Sequence, residues 1–411
     1  MKVLQLCKKF PYPLQDGESI AIQHISKSLT DMGCELSLLT MNTSKHYFKL
    51  DMQNLPAELK HYKEIHSVEV DNTIRKWDAF KNLFSKESYH ISRFQSDGFA
   101  QKLLELISTQ KFDIIQLETL YLAPYYDLIK ENSDAIIVMR AHNIEHEIWD
   151  RITEQIDFIP KKLYLSYLSK KLKKFEVDRL NKYDFLVAIT ERDLDRFKSL
   201  GYKNGCLAIP VGFDLTKYEP DYSAFQNPIA LSFIGSLDWM PNTEGLNWFL
   251  ESVWPKLKAK YPELEFHFTG RNAPAEMRNL RIPGVYYHNQ VVNAKAFTQK
   301  YPISIVPLFA GSGIKVKILE AMALGRVVIS SSIGLEGIPA KHMKQVIIAN
   351  SIEDYIESID WCYRHKDQLQ KIGENARSFL KNNFNNEKLA SRLVNAYQKV
   401  LVSHRHKASI Q

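Results

Sequence analysis

The sequence predicts an α/β protein built from two doubly wound domains. Short β-rich segments alternate with longer helical patterns along the chain, which is typical of parallel sheets covered by helices. The alternation pauses in the turn-rich segment 206–228 and then starts again. The length of 411 residues also exceeds one ordinary hydrophobic core, since domains average roughly 100–200 residues. We therefore predict a first domain over 1–210 and a second over 211–385.

The first series of strands is predicted from five segments rich in β-branched and other aliphatic residues. They are KVLQLC (2–7), CELSLLT (34–40), FDIIQLET (112–119), AIIVMRA (135–141) and YDFLVAIT (183–190). Ile20 to Met32 has the apolar spacing of a helix, whereas residues 41–96 show no clear pattern.

The second series has the same alternation and ends in helices. Its predicted strands are IALSFIGS (229–236), LEFHFTG (264–270), VYYHNQV (285–291), ISIVPLF (303–309) and RVVISSS (326–332). Two amphipathic helices, roughly 367–381 and 386–403, close the chain. The last of them needs another surface to pack on, so residues 386–411 are predicted to cross back to the first domain.

The composition limits the function classes. A formal net charge of +7 allows attraction to phosphates or to an anionic membrane, but the charge is too dispersed for a nucleic-acid partner. The four cysteines form no pattern typical of zinc or of disulfides. The N-terminal apolar run is shorter than a signal peptide's, and no segment approaches the roughly 18 apolar residues of a membrane span. We expect a cytoplasmic protein, at most peripherally bound to a membrane.

The stretch PLFAGSGIKVKILEAMALG (307–325) carries the main functional signal. Gly311, Ser312 and Gly313 lie between a predicted strand and a predicted helix, where glycines let an anion approach the backbone. The amide groups of residues 312–314, including Ile314, would face a phosphate at the positive end of the helix. Glycine-rich strand-to-helix turns also occur for packing reasons alone, so the loop by itself leaves both interpretations open.

Three side chains of the following helix extend this interpretation. Lys315 and Lys317 place positive charge in the first turns, where the helix dipole disfavours cations unless an anion compensates them. Glu320 lies about two turns along on the same helical face as the glycines, where it could accept hydrogen bonds from ribose hydroxyls. Phosphate at the helix start and ribose further along together describe a nucleoside diphosphate. Solvated lysines remain the alternative for Lys315 and Lys317.

The segment GSGIKVKILEAMALGRVVISSSIGLEGI resembles the donor site of the family 4 glycosyltransferases, which are retaining enzymes of the GT-B fold. FIGSLDWMPNTEGLNWFL (233–250) and the closing helices resemble the same family. The resemblance implies two Rossmann-like domains facing across a cleft and transfer of a sugar from a UDP- or GDP-linked donor. It also implies a glycan or lipid-linked hydroxyl acceptor and a role in surface polysaccharide or other glycoconjugate synthesis. Because no acidic DxD-type metal site is evident in the sequence, we expect chemistry without a metal or other cofactor.

The resemblance assigns donor-site roles by position. It maps the ribose-binding glutamate onto Glu320, and Ser312 stands where many members carry a glutamate that binds the donor sugar. Gly235 lies where members often follow the first strand with an arginine and a lysine that neutralise the diphosphate. Since no cation follows Gly235, we expect Lys315, Lys317 or Arg271 to supply this charge. Val291 lies in HNQVVNAKAF (288–297), where members hold the base through backbone groups, and Asn293 is predicted to cap the next helix.

The first domain offers further candidates after its strands. His142 follows the strand 135–141, where members of the family place a histidine near the donor sugar, and Asn143 is suited to cap the next helix. Arg140 could pair with an acidic group or a phosphate. Gly17, in PYPLQDGESIA (11–21), takes the place of a glycine pair that approaches the donor or acceptor. A structural histidine and a simple turn glycine are the alternatives for His142 and Gly17.

The lysine-rich segment 161–183 predicts a helix that packs on the first domain with its lysines in solvent. Its proposed packing face consists of Leu163, Leu165, Leu168, Leu172, Phe175 and Leu180. The alternative is a basic face against anionic lipid.

Other activities compatible with the two-domain pattern also stay open. A GT-B sugar-nucleotide epimerase would act on the donor without an acceptor. A nucleotide-sugar-binding protein without catalysis is suggested by Ser312 and by the missing diphosphate cations. A dinucleotide-dependent dehydrogenase is disfavoured, because no GxGxxG follows the first strand.

Overall fold

The computed structural model describes residues 1–14, 16–73, 75, 77, 81–82, 85, 87–154, 156–311 and 314–408. The chain divides into two compact units. The first unit comprises Met1–Gly212 together with the C-terminal helix Asn386–Ala408, and the second comprises Phe213–Asn385.

The first unit contains a parallel sheet whose strands, within the described residues, follow the order β3-β2-β1-β4-β5-β6-β7. The strands are β1 Lys2–Cys7, β2 Glu35–Thr43, β3 Glu64–Val70, β4 Ile114–Leu117, β5 Ile136–Ala141, β6 Phe185–Ala188 and β7 Gly205–Ala208. The α-helices around it are Gly17–Asp31, Tyr89–Ser92, Asp97–Thr109, Tyr126–Asn132, Glu145–Glu154, Ile159–Arg179, Glu191–Ser199 and Asn386–Ala408. Short 3₁₀ helices cover Ser44–His46, Ala57–Leu59, Leu120–Tyr125 and Leu180–Lys182.

Both faces of this sheet are buried, as the continuous apolar strand segments predict. In β1, Leu4 and Leu6 belong to one core cluster, whereas Val3 and Cys7 point to the other face and belong to a second cluster. The C-terminal helix covers the second cluster, with Tyr397 fully buried. Alternate residues of a strand thus contribute to two cores, which is the period-two pattern of a pleated sheet.

The second unit contains a parallel sheet in the order β10-β9-β8-β11-β12-β13. Its strands are β8 Ala230–Ile234, β9 Glu265–Thr269, β10 Val285–Tyr287, β11 Ile303–Val306, β12 Val327–Ser330 and β13 Ile347–Ile348. Its α-helices are Met240–Trp248, Trp254–Lys260, Ala275–Arg278, Ala294–Gln299, Val316–Ala323, Ile352–Arg364 and Lys366–Asn383. A π-helical turn at Phe249–Val253 and 3₁₀ helices at Leu215–Lys217 and Tyr222–Phe225 complete the unit as described.

Every predicted strand segment contains an observed strand, but three observed strands were not predicted. They are β3, which lies in the segment without a clear pattern, and β7 and β13, which have four and two residues. Residues 206–208 of β7 fall inside the segment that the sequence assigns to turns. Length alone does not explain the missed strands, because β4 and β6 also have four residues and lie in segments that were predicted.

The helix Ile159–Arg179 corrects the predicted packing face of the lysine-rich segment. Leu168 and Leu172 are buried as predicted, but the side chain of Leu163 is 67% exposed. The first turns of this helix therefore leave apolar surface in solvent. No helix in the part of the chain described here is both long and apolar enough to span a bilayer.

Candidate functional site

The sheet of the second unit has a topological switch point between the neighbouring strands β8 and β11. From β8 the chain winds outward through β9 to β10, and from β11 it winds the other way through β12 to β13. In open parallel sheets, ligands bind beyond the carboxyl ends of the strands at such a point. Gly235 directly follows β8, and Gly311 lies shortly after β11.

The backbone beside this switch point depends on two glycines. A Cβ atom on Gly235 would lie 2.9 Å from Asn242 Nδ2 and 3.2 Å from Lys317 Nζ. Gly311 has a φ angle of +120°, in the region that favours glycine. Gly235 therefore keeps the backbone free of side-chain bulk near the Lys317 ammonium group. A Cβ atom on Gly311 would instead lie 3.7 Å from Lys315 Nζ.

The structure describes only part of the rest of the predicted glycine loop. Ser312 and Gly313 lie outside the described residues, so their contacts with a phosphate stay a prediction. Ile314 packs its side chain against the core cluster that contains Ile318. Lys315 is the N-cap of the helix Val316–Ala323 and gives it no side-chain hydrogen bond. The N-cap side chain thus does not supply the cap that a serine or aspartate at this position would give.

Lys317 is the cation that lies beside the end of β8 at the switch point. Its Nζ atom donates a 2.6 Å hydrogen bond to Asn242 Oδ1 and lies 4.6 Å from the centre of the Phe233 ring. Among the described residues no carboxylate lies within ion-pair distance of it. Burial and the neighbouring charge of Lys315 lower the pKa of Lys317 to about 7. An anionic ligand would compensate this charge and restore the protonated form.

Glu320 lies on the same helix and is held by a residue from outside it. The Tyr218 hydroxyl donates a 2.9 Å hydrogen bond to Glu320 Oε1, and Lys295 Nζ lies 4.2 Å from the centre of the Tyr218 ring. Burial raises the pKa of Glu320, although the Tyr218 hydrogen bond opposes this shift. The described residues leave the second oxygen, Oε2, without a hydrogen-bond donor, so Oε2 could accept a bond from a ligand hydroxyl.

The two remaining donor-site candidates follow the neighbouring strands. Arg271 comes two residues after β9, and its carbonyl oxygen accepts a 2.8 Å hydrogen bond from the Leu237 amide. Hydrogen bonds from Ser236 and Asn272, and the charge of Arg271, lower the pKa of Asp238. The Arg271 guanidinium thus lies in the field of a carboxylate, unlike Lys317.

Val291 lies in the loop between β10 and the helix Ala294–Gln299, at the predicted base-binding segment. Asn293 caps this helix as predicted, accepting a 3.0 Å hydrogen bond from the Ala296 amide. The cap fixes the course of the backbone immediately after Val291.

The first unit has its own switch point, between β1 and β4. Glu118, directly after β4, is fully buried and accepts hydrogen bonds from Arg140 Nη1 at 2.8 Å and Gln5 Nε2 at 2.6 Å. Burial opposes its ionised form, but the Arg140 charge and the His142 hydrogen bond lower the pKa of Glu118 to about 2. Arg140 is 1% exposed. It therefore pairs with an internal acid, which is the first of the two partners that the sequence suggests for it.

His142 is attached to the same carboxylate. Its Nε2 atom lies 2.7 Å from Glu118 Oε2, and the residue is 5% exposed. Because Glu118 is ionised, Nε2 must carry the proton of this hydrogen bond, so Nδ1 is the nitrogen that titrates. The described residues make no hydrogen bond to Nδ1. Burial lowers the pKa of His142, against the opposing effect of Glu118.

Two predicted helix starts in the first unit are corrected. The first helix begins at Gly17, capped by Asp16, so Gly17 belongs to the helix terminus and not to a loop. The helix after β5 begins at Glu145, and Asn143 is not its cap. The Glu176 carboxylate accepts from the first amides of that helix instead, at 3.1 and 3.2 Å. A cap from a distant helix leaves no local sequence signal.

The predicted residues form two groups, one in each unit. In the second unit Lys317 Nζ lies beside Gly235, with Glu320 further along the same helix. His142 and Arg140 meet at Glu118 in the first. Sequence reasoning missed Glu118, Tyr218 and Asn242, which complete these groups from distant parts of the chain.

Comparison with known proteins indicates the class of protein to which this chain is similar. Residues 228–365, within the second unit, match the family described as glycosyl transferases group 1. Solved structures that align along nearly the whole chain are glycosyltransferases of the GT-B fold. The predicted fold class is thereby confirmed, and the matched segment and the shared fold together support a glycosyltransferase.

Three particular proteins illustrate the likeness. Sucrose-phosphate synthase from Thermosynechococcus elongatus has a TM-score of 0.73 and 13% identity, over 98% of this chain and 100% of that one. HepE from Anabaena in complex with UDP-glucose has a TM-score of 0.66 and 13% identity, over 97% and 100%. An uncharacterized 44.6 kDa protein in the cps region of Klebsiella pneumoniae is 25% identical over 301 residues, which cover 71% of this chain and 75% of that protein.

Proposed function

We propose that this protein transfers a sugar from a nucleotide-sugar donor to a hydroxyl acceptor, with retention of configuration. The observation that carries the proposal is the Lys317 ammonium at the switch point of the second unit, which has no internal carboxylate partner among the described residues. A partly buried cation of this kind is costly unless an anion compensates it. A nucleoside diphosphate is the anion that the matched family and the fold favour.

The diphosphate of the donor would lie between Lys317 and the glycine loop. As the bond to the sugar breaks, negative charge develops on the departing phosphate oxygens and positive charge on the sugar. Lys317, and the amides at the start of helix Val316–Ala323, would stabilise the departing oxygens. Preorganised groups of this kind contribute about 3–4 kcal/mol each in other enzymes. Lys315 and Arg271 would add weaker long-range charge, and no metal is required.

Glu320 would bind the ribose of the donor through its Oε2 atom, while Tyr218 fixes the other oxygen. The raised pKa of Glu320 reflects its burial. A ribose hydroxyl that donates to Oε2 would favour the ionised carboxylate. Gly235 and Val291 would contribute backbone surface to the diphosphate and the base.

His142 would act on the donor sugar through Nδ1, with Glu118 setting the tautomer through Nε2. In this role Glu118 is a positioning residue, because it acts only through His142. We expect His142→Ala to reduce turnover more than donor affinity. Full activity of this variant would return His142 to a structural role.

The experiment that tests the proposal is a thermal-shift screen of the whole protein against UDP- and GDP-linked sugars. Donors that bind are then incubated with a panel of glycan and lipid-linked acceptors. Transfer to an acceptor, with the anomeric configuration read by NMR, supports the proposal. Conversion of the donor without acceptor would indicate an epimerase instead, and donor binding without transfer or slow hydrolysis a non-catalytic binding protein.

The relatives favour a role in polysaccharide synthesis. The HepE structure is a complex with UDP-glucose, and the Klebsiella protein is encoded in a cps region. We therefore propose a UDP-linked hexose as the first donor to test and a surface-polysaccharide precursor as the acceptor. Larger thermal shifts with GDP-linked sugars than with UDP-linked sugars would overturn the choice of a UDP-linked donor.

We also propose that the protein binds peripherally to anionic lipid, consistent with a cytoplasmic location. Phe158, Ile159 and Leu163 are each at least 67% exposed at the start of helix Ile159–Arg179, beside exposed Lys161 and Lys162. Apolar side chains flanked by lysines suit the interface of an anionic bilayer.

Sedimentation with vesicles tests this contact. The protein should sediment with vesicles that contain phosphatidylglycerol and not with pure phosphatidylcholine. Leu163→Ser should weaken binding, whereas Leu104→Ser, a control at another exposed leucine, should not. Equal binding by both variants would contradict the assignment.

A further inference from the structure

The first unit contains a cavity of about 230 Å³ at its own switch point. Lys8 and Lys9 follow β1, Thr43 ends β2, Asn72 follows β3 and Tyr121 follows β4, and all line the cavity. The cavity therefore lies at the carboxyl edge of the sheet, where open α/β sheets bind ligands. It is smaller than the roughly 300–1,000 Å³ of drug-sized sites, which suits one sugar or one charged substituent.

Two lysines of the cavity are held by internal acids. Lys8 Nζ lies 3.1 Å from Glu18 Oε2 and 4.3 Å from the centre of the Tyr121 ring. Lys9 Nζ lies 2.8 Å from Asp16 Oδ1 and 3.9 Å from Glu18 Oε2. Each ammonium group has three donors, so one or two carboxylate contacts leave at least one donor available to a ligand. Oε1 of Glu18 is buried and has no partner among the described residues, so it can accept a ligand hydroxyl.

Arg93 gives the cavity its excess of positive charge. It lines the cavity, and Nη1 donates to the Asn72 carbonyl oxygen at 3.3 Å. Its ring contacts are to Tyr89 and Phe94. Among the described residues no carboxylate pairs with Arg93, and its Nε atom is buried without an acceptor. Buried charged donors without partners are costly, and a carboxylate or phosphate can accept from several of them at once.

We propose that this cavity binds the acceptor and that the acceptor sugar carries an anionic group, a phosphate or a carboxylate. The inference rests on the proposed function, since it names the class of acceptor for that transferase. Arg93 recognises the anionic group, Lys8 and Lys9 provide further donors, and Glu18 accepts from a sugar hydroxyl.

Calorimetric titration of the full chain at low salt tests the proposal. The probes are glucose 6-phosphate, glucuronic acid and the neutral methyl glucoside, with UDP-glucose titrated separately as the donor. At least one anionic sugar should bind, and the neutral sugar should bind at least tenfold more weakly. The preferred anionic probe distinguishes a phosphate from a carboxylate acceptor.

Variants tie this preference to Arg93. Arg93→Gln should weaken binding of the anionic sugar about tenfold to a hundredfold, as expected for a lost charge-assisted contact, and leave UDP-glucose affinity unchanged. Arg93→Lys keeps the charge and should lose less, which provides a readout if the glutamine variant folds poorly. Arg281→Gln, at an exposed arginine of the second unit, is the matched control and should change neither affinity.

The outcomes separate the inference from the proposed function. Equal binding of neutral and anionic sugars, or anionic binding that Arg93→Gln leaves unchanged, overturns the inference even when UDP-glucose binds. Anionic sugar binding in a protein that binds no nucleotide sugar overturns the proposed function, and the cavity is then no acceptor site.

Discussion

In the first unit the switch point is surrounded by charged side chains, whereas in the second it is bordered by glycines and the Lys317 ammonium. Glu118, Arg140 and His142 form a buried network in the first unit, which also contains the cavity. The second unit instead exposes backbone near Gly235 and Gly311. The same topology thus carries a candidate site made of side chains in one unit and a candidate site bordered by glycines in the other. Topology determines where each candidate site lies, whereas its chemistry depends on side chains that the fold brings together from distant parts of the chain.

The largest expected effect is on the stability of the side-chain site. Glu118→Gln would leave the buried Arg140 charge without its anion, and removing one partner of a buried ion pair costs about 3–5 kcal/mol. Thermal or urea unfolding measures the loss. Glu105→Gln breaks an exposed pair with Lys102 and should cost less than about 1 kcal/mol. Similar values for the two variants would show that the Glu118 network contributes no more than a surface pair.

Lys317→Met should affect activity and not the fold. Loss of this group removes about 3–4 kcal/mol of stabilisation from the departing diphosphate, which corresponds to a fall in kcat of roughly a hundredfold to a thousandfold. Steady-state kinetics on the full chain measures it. Lys344→Met, at an exposed lysine of the same unit, is the control. A Lys317→Met enzyme with normal kcat would transfer the role to Lys315 or Arg271.

Nucleotide affinity should fall as the pH rises above about 7. The free protein has a Lys317 pKa of about 7, so binding a diphosphate above this pH requires uptake of a proton, and affinity falls by up to about tenfold per pH unit. Calorimetry of UDP binding between pH 7 and 9, in buffers of different ionisation enthalpy, measures this uptake. Lys317→Met should show no such dependence, and an unchanged slope would locate the proton elsewhere.

The same pKa makes a prediction of opposite sign for the stability of the free protein. The folded pKa of Lys317 lies below its ordinary value of 10.5, so unfolding takes up a proton between about pH 7 and 10.5. The Lys317 contribution to the free energy of unfolding therefore rises with pH across this window.

The smallest expected effect belongs to Tyr218. Tyr218→Phe removes the hydrogen bond that orients Glu320, which is worth about 0.5–1.5 kcal/mol, so nucleotide-sugar affinity should fall a few-fold to about tenfold. Tyr286→Phe is a matched control, because its hydroxyl makes a longer 3.4 Å bond to Glu265. If both variants bind the donor equally well, Glu320 does not need Tyr218 to act.

The backbone-based site was easier to predict from sequence than the side-chain site. Glycines between a strand and a helix, and a glutamate two turns later, are contiguous, so the pattern of 311–320 was visible in one segment. The partners of these residues were not. Tyr218 lies 102 positions from Glu320, and Asn242 lies 75 positions from Lys317.

The first unit shows why the remainder of the site was missed. His142 was predicted from its place after a strand. Its hydrogen-bond partner, Glu118, lies 24 positions earlier at the end of another strand and could not be predicted in that way. The ion pair of Arg140 could not be predicted either, because only the pairing of β4 with β5 brings Arg140 to Glu118. The alternation of strands and helices predicts the order of elements, whereas such contacts depend on which strands become neighbours.

The C-terminal helix has a consequence for how the chain is made. Leu389, Leu393 and Tyr397 of this helix fill the core on one face of the first sheet. That core stays incomplete on the ribosome until all of Phe213–Asn385 has been synthesised, on the order of 10–30 s at about 5–20 residues per second. The half that is translated first is therefore the half that matures last, and a stop codon after the second unit would leave a nascent product with an open apolar face.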